Sequence, residues 1–397
     1  MTQLLTVSAD DPGLPAAVAR MLAGGPPLAP LPSDPGARTA ALAMLRPEEP
    51  VVEADAGLVV ATSGSTGEPK GVVLSRAAIH AGVAATHARL GGPGNWTLAL
   101  PAHYVAGVLV IARAIAAGTD LFQCAGDLQD LPDPAALASA ASPRNYLSLV
   151  PTQLVRALPQ PDVLARLAAF DAILLGGAAA DPAVLARAAA AGLRVITTYG
   201  MSETSGGCVY DGVPLDDVDI TLDASGRVSI SGPVVFSGYR LRPDLTAEVL
   251  VSEPPCSYAD PAPVASAPFR TLLTRDRARW VHQPSRRLEV LGRIDDVVIS
   301  GGVNVDLAAV EKALHRIDPQ GAAVGVPDPE WGTRIVAALT TDLPLATLRD
   351  RLHTLEPAAR PRGLLRHPHL PTTASGKIDR QELIAWWESG PAEREEL

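Results

Sequence analysis

Residues 62–71 read TSGSTGEPKG and contain three glycines, four hydroxyl side chains, one proline and one lysine. They follow the apolar run GLVVA at residues 57–61, which predicts a buried strand. In a glycine-rich turn, backbone N–H groups can converge on an anion, and small hydroxyls add further donors. The segment differs from the nucleotide P-loop GxxxxGK[ST], because Pro69 and not glycine precedes Lys70. The segment suits a polyphosphate-binding loop, and an ordinary strand-to-helix loop of the same composition is an equally good interpretation of these residues alone.

Length and charge restrict the class of protein. A chain of 397 residues exceeds what one hydrophobic core usually serves, so we expect a large domain and a smaller one. The 33 basic and 43 acidic side chains argue against general nucleic-acid binding. The sequence shows neither an apolar segment of transmembrane length nor a secretory signal, so we expect a soluble, cytoplasmic protein. The three cysteines, Cys124, Cys208 and Cys256, are far apart and predict reduced thiols.

The order of apolar and Ala-rich segments predicts the domain organisation. Up to about Asp211, strand-like runs alternate with helical ones, which favours an α/β core with parallel strands. Short strands and turns follow, and then a smaller unit of strands and helices. We place the boundary near Arg293, giving a large domain at 1–292 and a small α+β domain at 293–397. The terminal residues 390–397, GPAEREEL, are expected to fray.

Two segments offer groups that suit a nucleotide. The segment TTYGMSETSGG at 197–207 supplies an aromatic ring at Tyr199, a hydroxyl at Ser202 and a carboxylate at Glu203. The segment LLTRDRARW at 272–280 places Asp276 after a strand, where its carboxylate could accept both hydroxyls of a ribose. Taken alone, the first is more often a surface turn with a tyrosine in the core, and an aspartate like the second is more often a turn former.

Two more segments lie at the predicted boundary and near the C-terminus. GRIDDVVISGGVNV at 292–305 combines Arg293, two acids and a Gly-Gly turn, and a solvated linker would look the same. TTASGKIDR at 372–380 puts Lys377 in a glycine-containing loop. A lone lysine in such a loop is usually a solvent-exposed charge.

In this order, the segments resemble the adenylate-forming superfamily, which includes acyl- and aryl-CoA ligases, nonribosomal peptide adenylation domains and luciferases. The resemblance extends over roughly residues 59–383. It implies an α/β large domain of layers with a distorted β-barrel-like part, followed by a mobile α+β small domain. It also implies a reaction of ATP with a carboxylic acid that gives an acyl-adenylate, and transfer of the acyl group to a thiol.

The resemblance assigns roles to individual residues. It places the β- and γ-phosphates of ATP at Thr62, Ser63, Gly64, Ser65, Thr66, Gly67 and Lys70. It places adenine at Gly176, Gly177, Ala178, Tyr199 and Gly200, and ribose at Asp276 and Arg293. Ser202 matches the residue at the α-phosphate, Glu203 the magnesium ligand and Lys377 the catalytic lysine. Asp295 matches the hinge, and Gly302 the glycine beside the pantetheine arm of coenzyme A.

The acyl pocket points to a subfamily. The segments LPAHYVAG, SLVPTQ and GMSETSGG resemble those of o-succinylbenzoate–CoA ligases of menaquinone biosynthesis, and they place the pocket at His103, Tyr104, Thr152, Gly206 and Gly207. Two positions depart from the superfamily. Tyr104 stands where a histidine is usual, and Arg275 stands where a glycine usually precedes the ribose carboxylate.

The sequence leaves three functions open. The first is an ATP-, Mg²⁺- and CoA-dependent ligase for o-succinylbenzoate. The second is a ligase for another aryl or short acyl acid, or one with a carrier-protein thiol as acceptor. The third is a nucleotide-binding regulator without catalysis, against which the presence of both Glu203 and Lys377 argues. The expected partners are therefore small molecules, with no nucleic acid and no integral membrane segment, and the sequence leaves a homodimer open.

Overall fold

The structure, a computed structural model, describes residues 2–62, 69–251, 270–282, 285–373 and 378–397. Within these ranges the α-helices are α1 (Leu14–Leu22), α2 (Pro35–Leu45), α3 (Arg76–Arg89), α4 (Val105–Ala117), α5 (Pro134–Ala138), α6 (Pro151–Ala157), α7 (Pro161–Leu167), α8 (Pro182–Ala190), α9 (Pro243–Val249), α10 (Leu307–Leu314), α11 (Leu345–Arg351) and α12 (Arg380–Ser389). Short 3₁₀ turns occur at Ser202–Thr204, Ile294–Asp296 and Pro357–Ala359. None of these helices combines the length and apolar character that crossing a bilayer requires.

The strands of the described residues are β1 (Leu5–Ser8), β2 (Leu28–Leu31), β3 (Ala56–Thr62), β4 (Lys70–Ser75), β5 (Asn95–Leu98), β6 (Leu121–Gln123), β7 (Asn145–Leu149), β8 (Ala172–Leu175), β9 (Val195–Met201), β10 (Gly206–Tyr210), β11 (Val213–Pro214), β12 (Asp219–Leu222), β13 (Arg227–Ser231), β14 (Gly238–Tyr239), β15 (Leu250–Val251), β16 (Thr271–Val281), β17 (Arg287–Arg293), β18 (Val297–Ser300), β19 (Val303–Asp306), β20 (Ala322–Asp328), β21 (Gly332–Leu339), β22 (Gly363–Arg366) and β23 (Glu393–Glu396).

The chain forms two compact units. The first comprises Met1–Ala224, Ser229–Thr274 and Val281–Leu288, and the second comprises Ser225–Val228, Arg275–Trp280 and Glu289–Leu397. Strands β13, β16 and β17 therefore each contribute residues to both units.

The first unit contains the predicted parallel α/β core. Its seven-stranded sheet has the order β11-β10-β9-β8-β7-β5-β6, and the strands from β9 to β6 are parallel. Parallel neighbours need a crossover connection, and α6, α7 and α8 provide two of these between β7 and β9. The buried core beneath the sheet includes Leu147, Leu149, Leu154, Leu167 and Ile173. The α/β prediction for this part is confirmed.

A second sheet of the first unit carries the glycine-rich segment. Its order is β1-β2-β3-β4-β14, and β3 pairs with β4 in antiparallel register, with Val59 opposite Val73 and Thr62 opposite Lys70. The segment thus joins two strands of one hairpin. A further sheet runs β12-β13-β16-β15, with β17 also on β16; this path has two ends, so the barrel-like part is an open sheet in the described residues.

The second unit is α+β, as predicted. Its sheet has the order β19-β18-β21-β22-β23, with β20 also paired to β21. One face packs on α10 and α11 through Val310, Leu314 and Leu348. The other face packs on α12 through Leu383 and Trp387.

The C-terminal segment does not fray, so that expectation is wrong. Residues Glu393–Glu396 form β23, which pairs with β22 in antiparallel register. The Arg366 guanidinium donates to Glu393 Oε1 at 2.7 Å and to Glu395 Oε2 at 2.6 Å, and Arg334 contacts Glu396. These ion pairs join residues far apart in the sequence, which is why the local composition did not reveal the strand.

We expect β23 to detach in acid. Hydrogen bonds from Arg366 lower the pKa of Glu393 and Glu395, and a hydrogen bond from Arg394 lowers that of Glu396. Because these folded-state pKa values lie below the unfolded value near 4.3, their stabilisation is present above that pH and is lost as the pH falls through the folded values. Hydrogen exchange, corrected for intrinsic rates, should show β23 amides losing protection before β20–β21 amides. Simultaneous loss in both would contradict this.

Candidate functional site

Predicted nucleotide and acyl-pocket residues meet at one corner of the seven-stranded sheet. Tyr199 and Gly200 end β9, Ser202 and Glu203 form a 3₁₀ turn, and Gly206 and Gly207 begin β10. Gly200 pairs with Gly207 across the two strands. A Cβ atom on Gly200 would lie 2.1 Å from the carbonyl oxygen of Gly206, so the backbones can approach this closely only with glycine.

Hydrogen bonds hold this corner rigid. The Thr204 hydroxyl accepts from the Met201 N–H at 2.9 Å and donates to the Gly206 carbonyl at 2.7 Å. The Ser205 hydroxyl donates to the Val234 carbonyl at 2.9 Å. The Phe236 N–H donates to the Glu203 carbonyl at 2.9 Å. The position of the Glu203 side chain is therefore set by a fixed backbone.

Glu203 lies beside the described end of the glycine-rich segment. The Tyr239 hydroxyl donates to Glu203 Oε1 at 2.8 Å, and Lys70 Nζ lies 5.1 Å from the Tyr239 ring centroid. The Thr62 hydroxyl donates to the Lys70 carbonyl at 3.3 Å. The other predicted phosphate-loop residues lie outside the described residues: Ser63, Gly64, Ser65, Thr66 and Gly67. Sequence analysis missed Tyr239, since nothing local to it signals a contact with Glu203.

The donor set around Glu203 fits magnesium held mainly by phosphates and water. Within the described ranges, no group of three or more His, Cys, Asp or Glu side chains is arranged so that it could hold a metal ion. Mg²⁺ commonly uses one or two carboxylates and completes its coordination with substrate phosphates and water. A single carboxylate next to the described end of the predicted polyphosphate loop suits that mode.

The predicted adenine segment follows β8 and lies next to β9. A Cβ atom on Gly176 would lie 2.4 Å from Thr198 Oγ1, and Gly177 has a φ of +87°, so both positions require glycine. Ala178 follows them. The carboxyl ends of adjacent parallel strands share one sheet edge, where ligands of open α/β sheets usually bind. The structure thus brings the segment to the edge that also carries Tyr199.

His103 and Tyr104 directly precede α4, and Tyr104 is its N-cap residue. Their ring centroids are 4.1 Å apart, and His103 Nδ1 is buried without a hydrogen-bond partner in the described part of the chain. Burial lowers the pKa of His103 and raises that of Tyr104, so both are neutral at pH 7. They form an uncharged aromatic pair.

Thr152 is exposed in the first turn of α6, whereas its neighbour Gln153 is buried. The Gln153 side chain accepts from the Val150 N–H at 3.0 Å and donates to the Ala99 carbonyl at 2.9 Å. Gln153 thus anchors the strand–turn–helix connection, which gives the SLVPTQ segment a structural role as well.

Arg113 is a buried residue of this region that sequence analysis missed. It lies on α4, is 5% exposed, and stacks on Trp96 with its guanidinium carbon 5.0 Å from the ring centroid. Its Nη2 lies 4.0 Å from where a Cβ atom on Gly206 would be. Within the described residues its Nε has no hydrogen-bond partner and no carboxylate pairs with it. A signal was present: Arg113 is the single charged residue in GVLVIARAIAA at 107–117.

The neighbours of Arg113 do not compensate its charge. Burial and the Arg113 charge lower the pKa of His87 to about 4, so this histidine is neutral at pH 7. The nearby Tyr210 hydroxyl is hydrogen-bonded to Thr86 at 3.0 Å. The guanidinium therefore lacks a counter-charge among the described side chains.

The remaining predicted residues belong to the second unit. Arg293 contacts Asp276 at 3.6 Å, and it donates to Asp295 Oδ2 at 3.0 Å. Arg275 donates to the same oxygen at 3.3 Å. Although burial alone would raise it, these two guanidinium groups lower the pKa of Asp295. Arg275, at the position where the superfamily resemblance implies glycine, therefore contacts the predicted hinge residue.

Gly302 lies in the turn between β18 and β19. Its φ is +79°, and a Cβ atom there would meet nothing within 4 Å. Lys377 lies outside the described residues.

Comparison with known proteins establishes the family. Residues 8–240 match the family model described as AMP-binding enzyme. The chain belongs to the AMP-binding enzyme family, as the sequence predicted. It is 41% identical over 383 residues to a probable 2-succinylbenzoate–CoA ligase of Mycobacterium tuberculosis, covering 93% of each chain. It is 28% identical to a 2-succinylbenzoate–CoA ligase of Enterococcus faecalis, covering 82% of this chain and 68% of that protein.

Solved structures support the same fold. The o-succinylbenzoate CoA synthetase of Bacillus subtilis, in complex with its acyl-adenylate intermediate, superposes with a TM-score of 0.67 at 21% identity. The match covers 93% of this chain and 80% of that one. The chain therefore has the fold of an adenylate-forming enzyme.

Proposed function

We propose that this protein is an ATP-dependent ligase that activates o-succinylbenzoate as an acyl-adenylate and transfers it to coenzyme A in menaquinone biosynthesis. The relatives named above support this substrate, and the observation that carries it is the buried Arg113 guanidinium beside Gly206. With ATP, CoA and a small acid as substrates, a cytoplasmic location is expected, and sedimentation would decide between a monomer and a homodimer.

Arg113 supports an acid with two carboxylates. A guanidinium stays protonated in proteins, and burying an ion without a partner costs several kcal/mol. When one carboxylate of o-succinylbenzoate is activated, the other remains anionic and can pair with this charge. A site that pairs a polar group of its substrate discriminates strongly against analogues lacking that group.

In the first step, a carboxylate oxygen of the acid attacks the α-phosphorus of ATP, an acyl–phosphate bond forms and pyrophosphate leaves. In this proposal Tyr199 stacks on adenine, Asp276 and Arg293 bind the ribose, and the Lys377 ammonium neutralises charge that develops in the transition state. Magnesium held by Glu203 would offset charge on the phosphates when bound. The uncharged pair His103–Tyr104 forms an aromatic wall of the acyl pocket.

In the second step, the thiol of coenzyme A attacks the acyl carbon and displaces AMP. We propose that the small domain at 293–397 turns about Asp295 between the two steps, so that Lys377 withdraws and Gly302 approaches the pantetheine arm. The contacts of Arg275 and Arg293 with Asp295 hold the hinge carboxylate in one position in this structure.

Replacing Glu203 with glutamine should raise the Mg²⁺ concentration needed for half-maximal activity and lower the adenylation rate, because the charge that holds the ion is lost. Tyr239→Phe is the matched control, since it removes the 2.8 Å hydrogen bond to Glu203 and keeps the charge. We expect a smaller effect on the Mg²⁺ requirement from the control. A Glu203→Gln enzyme with an unchanged Mg²⁺ requirement would disprove the metal role.

The proposed activity is tested with purified protein, ATP, Mg²⁺, CoA and a panel of acids. We expect CoA-dependent AMP formation with o-succinylbenzoate to exceed that with benzoate, acetate and long fatty acids by a wide margin in kcat/KM. Equal or greater activity with benzoate would contradict the assignment of o-succinylbenzoate as the substrate, but it would not contradict the proposed adenylation reaction. If none of the acids supported ATP–pyrophosphate exchange, the proposed ligase activity would be wrong.

A further inference from the structure

Trp96 is a fully buried aromatic residue that contacts Arg113. It lies on β5, and the guanidinium carbon of Arg113 lies over its ring, 5.0 Å from the centroid. A cation within about 6 Å of an aromatic face is attracted by the ring quadrupole, and tryptophan provides the strongest such face. The contact therefore stabilises a guanidinium that has no counter-charge among the described side chains.

The stack on Trp96 also sets the orientation of Arg113. Arg113 makes neither a hydrogen bond nor an ion pair with any residue that the structure describes, so no other directional contact from these residues holds it. Arg240 is equally buried, but hydrogen bonds to backbone carbonyls fix its guanidinium. Because Arg113 lacks such bonds, its N–H groups remain available to a ligand, and the ring of Trp96 takes over the orienting role.

Two neighbours fix the plane of the Trp96 indole. Its Nε1–H donates to His87 Nε2 at 3.3 Å, and its ring packs on Tyr146 with the ring centroids 5.1 Å apart. An indole N–H can only donate, so this hydrogen bond requires His87 Nε2 to be unprotonated and the imidazole to be neutral. Burial and the Arg113 charge, which lower the pKa of His87 to about 4, keep it in that form at pH 7.

The stacked guanidinium lies next to a predicted acyl-pocket residue. Arg113 Nη2 is 4.0 Å from the position that a Cβ atom on Gly206 would take. A guanidinium that stacks on a ring keeps its N–H donors in its own plane, where they match the two oxygens of a carboxylate. An orientation that is fixed before the substrate arrives reduces the conformational entropy lost on binding.

We propose that Trp96 and His87 are positioning residues for substrate selection. His87 holds the Trp96 indole, and Trp96 holds the Arg113 guanidinium in the orientation that binds the second carboxylate of the acid. The inference rests on the proposed function, in which Arg113 binds that carboxylate. His87 and Trp96 act only through Arg113 and do not touch the substrate.

The test is the ratio of kcat/KM for o-succinylbenzoate to kcat/KM for 3-benzoylpropionate, which lacks the ring carboxylate. Both values come from one enzyme preparation, so a variant that is only less stable loses activity with both acids and keeps the ratio. His87→Leu removes the acceptor of the indole N–H and should lower the ratio about fivefold or more, a factor within the range of a cation–π contact. His87→Gln offers a neutral amide oxygen as acceptor and should keep the ratio within about twofold of the wild type.

Trp96→Phe tests the other residue of the pair. Phenylalanine fills much of the same space, but it has a weaker face for a cation and no N–H, so the ratio should fall here as well. Tyr146→Phe is the matched control. It removes the hydrogen bonds from the Tyr146 hydroxyl to the carbonyls of Leu90 at 3.1 Å and Gly92 at 2.9 Å, and it keeps the ring that packs on Trp96. This control should lower the melting temperature and leave the ratio unchanged.

A large wild-type ratio that His87→Leu and Trp96→Phe leave unchanged would overturn the inference and leave the proposed function intact. An equal fall of the ratio in His87→Leu and His87→Gln, or in His87→Leu and Tyr146→Phe, would overturn it as well. A wild-type ratio near one would contradict the role of Arg113 and, with it, this inference. If His87→Leu does not fold, Trp96→Phe decides the outcome against the same control.

Discussion

Lys377→Ala should lower the rate of acyl-adenylate formation by ~10²–10³, equivalent to about 2.7–4 kcal/mol, because one preorganised cation is lost from the transition state. ATP–pyrophosphate exchange measures this step. The chain contains three lysines, Lys70, Lys312 and Lys377. Lys312→Ala, in the last turn of α10, is therefore the matched control and should leave the exchange rate unchanged. A lysine in a loop is usually a solvent-exposed charge whose substitution changes stability by less than ~0.5 kcal/mol, so we expect both variants to keep the wild-type melting curve.

The proposed domain rotation predicts that the second step survives in this variant. With presynthesised o-succinylbenzoyl-adenylate and CoA, Lys377→Ala should keep most of its thioester-forming rate. Gly302→Leu should show the reverse, with adenylation kept and thioester formation blocked. Gly302→Ala is the control, because it adds a Cβ atom at the same φ of +79° and so introduces the backbone strain without the bulk of a leucine side chain. Equal loss of both steps in a folded Lys377→Ala protein would contradict the two-state mechanism.

Arg113→Met should lower kcat/KM for o-succinylbenzoate by about 150- to 5,000-fold while leaving the melting temperature unchanged or raised. Breaking a buried ion pair by removing one partner costs about 3–5 kcal/mol, which is the expected loss in the substrate complex. In the free enzyme the substitution removes a buried charge that no described carboxylate balances, and apolar replacement of buried charges is often neutral or stabilising.

Arg240→Met is the structural counterpart of this variant. Arg240 is equally buried, but its guanidinium donates to backbone carbonyls that would be left unsatisfied. Its loss should lower the melting temperature. If Arg113→Met were as destabilising as Arg240→Met and kept its activity, Arg113 would have a purely structural role.

Much of the fold was predictable because the signals are local. The run GLVVA predicted the strand β3, and alternating strand and helix patterns predicted the parallel core. The family followed from the order of five short segments. Gly176 and Gly200 lie where the structure leaves no room for a Cβ atom. Glycine is therefore required at both positions, which makes the segments that contain them easy to recognise.

The missed features depend on contacts between distant residues. Tyr239 forms a hydrogen bond with Glu203, which is 36 residues away in the sequence. Arg366 forms one with Glu393, which is 27 residues away. Neither local propensity nor charge pattern specifies such a pair. Arg113 was visible as a charge in an apolar helix, but its missing counter-charge is a property of the packed core. Arg275 was recognised as a departure, whereas its contact with Asp295 required the structure.

In the proposed function, Arg113 binds a second carboxylate of the acid. The most direct test of this role is the ratio of kcat/KM for o-succinylbenzoate to that for 3-benzoylpropionate, which has the same skeleton without the ring carboxylate, in the wild type and in Arg113→Met. We predict a large ratio in the wild type, because loss of the ring carboxylate leaves the guanidinium unpaired, and a collapse of the ratio towards one in the variant. A ratio near one in the wild type, or a large ratio that Arg113→Met leaves unchanged, would contradict the claim.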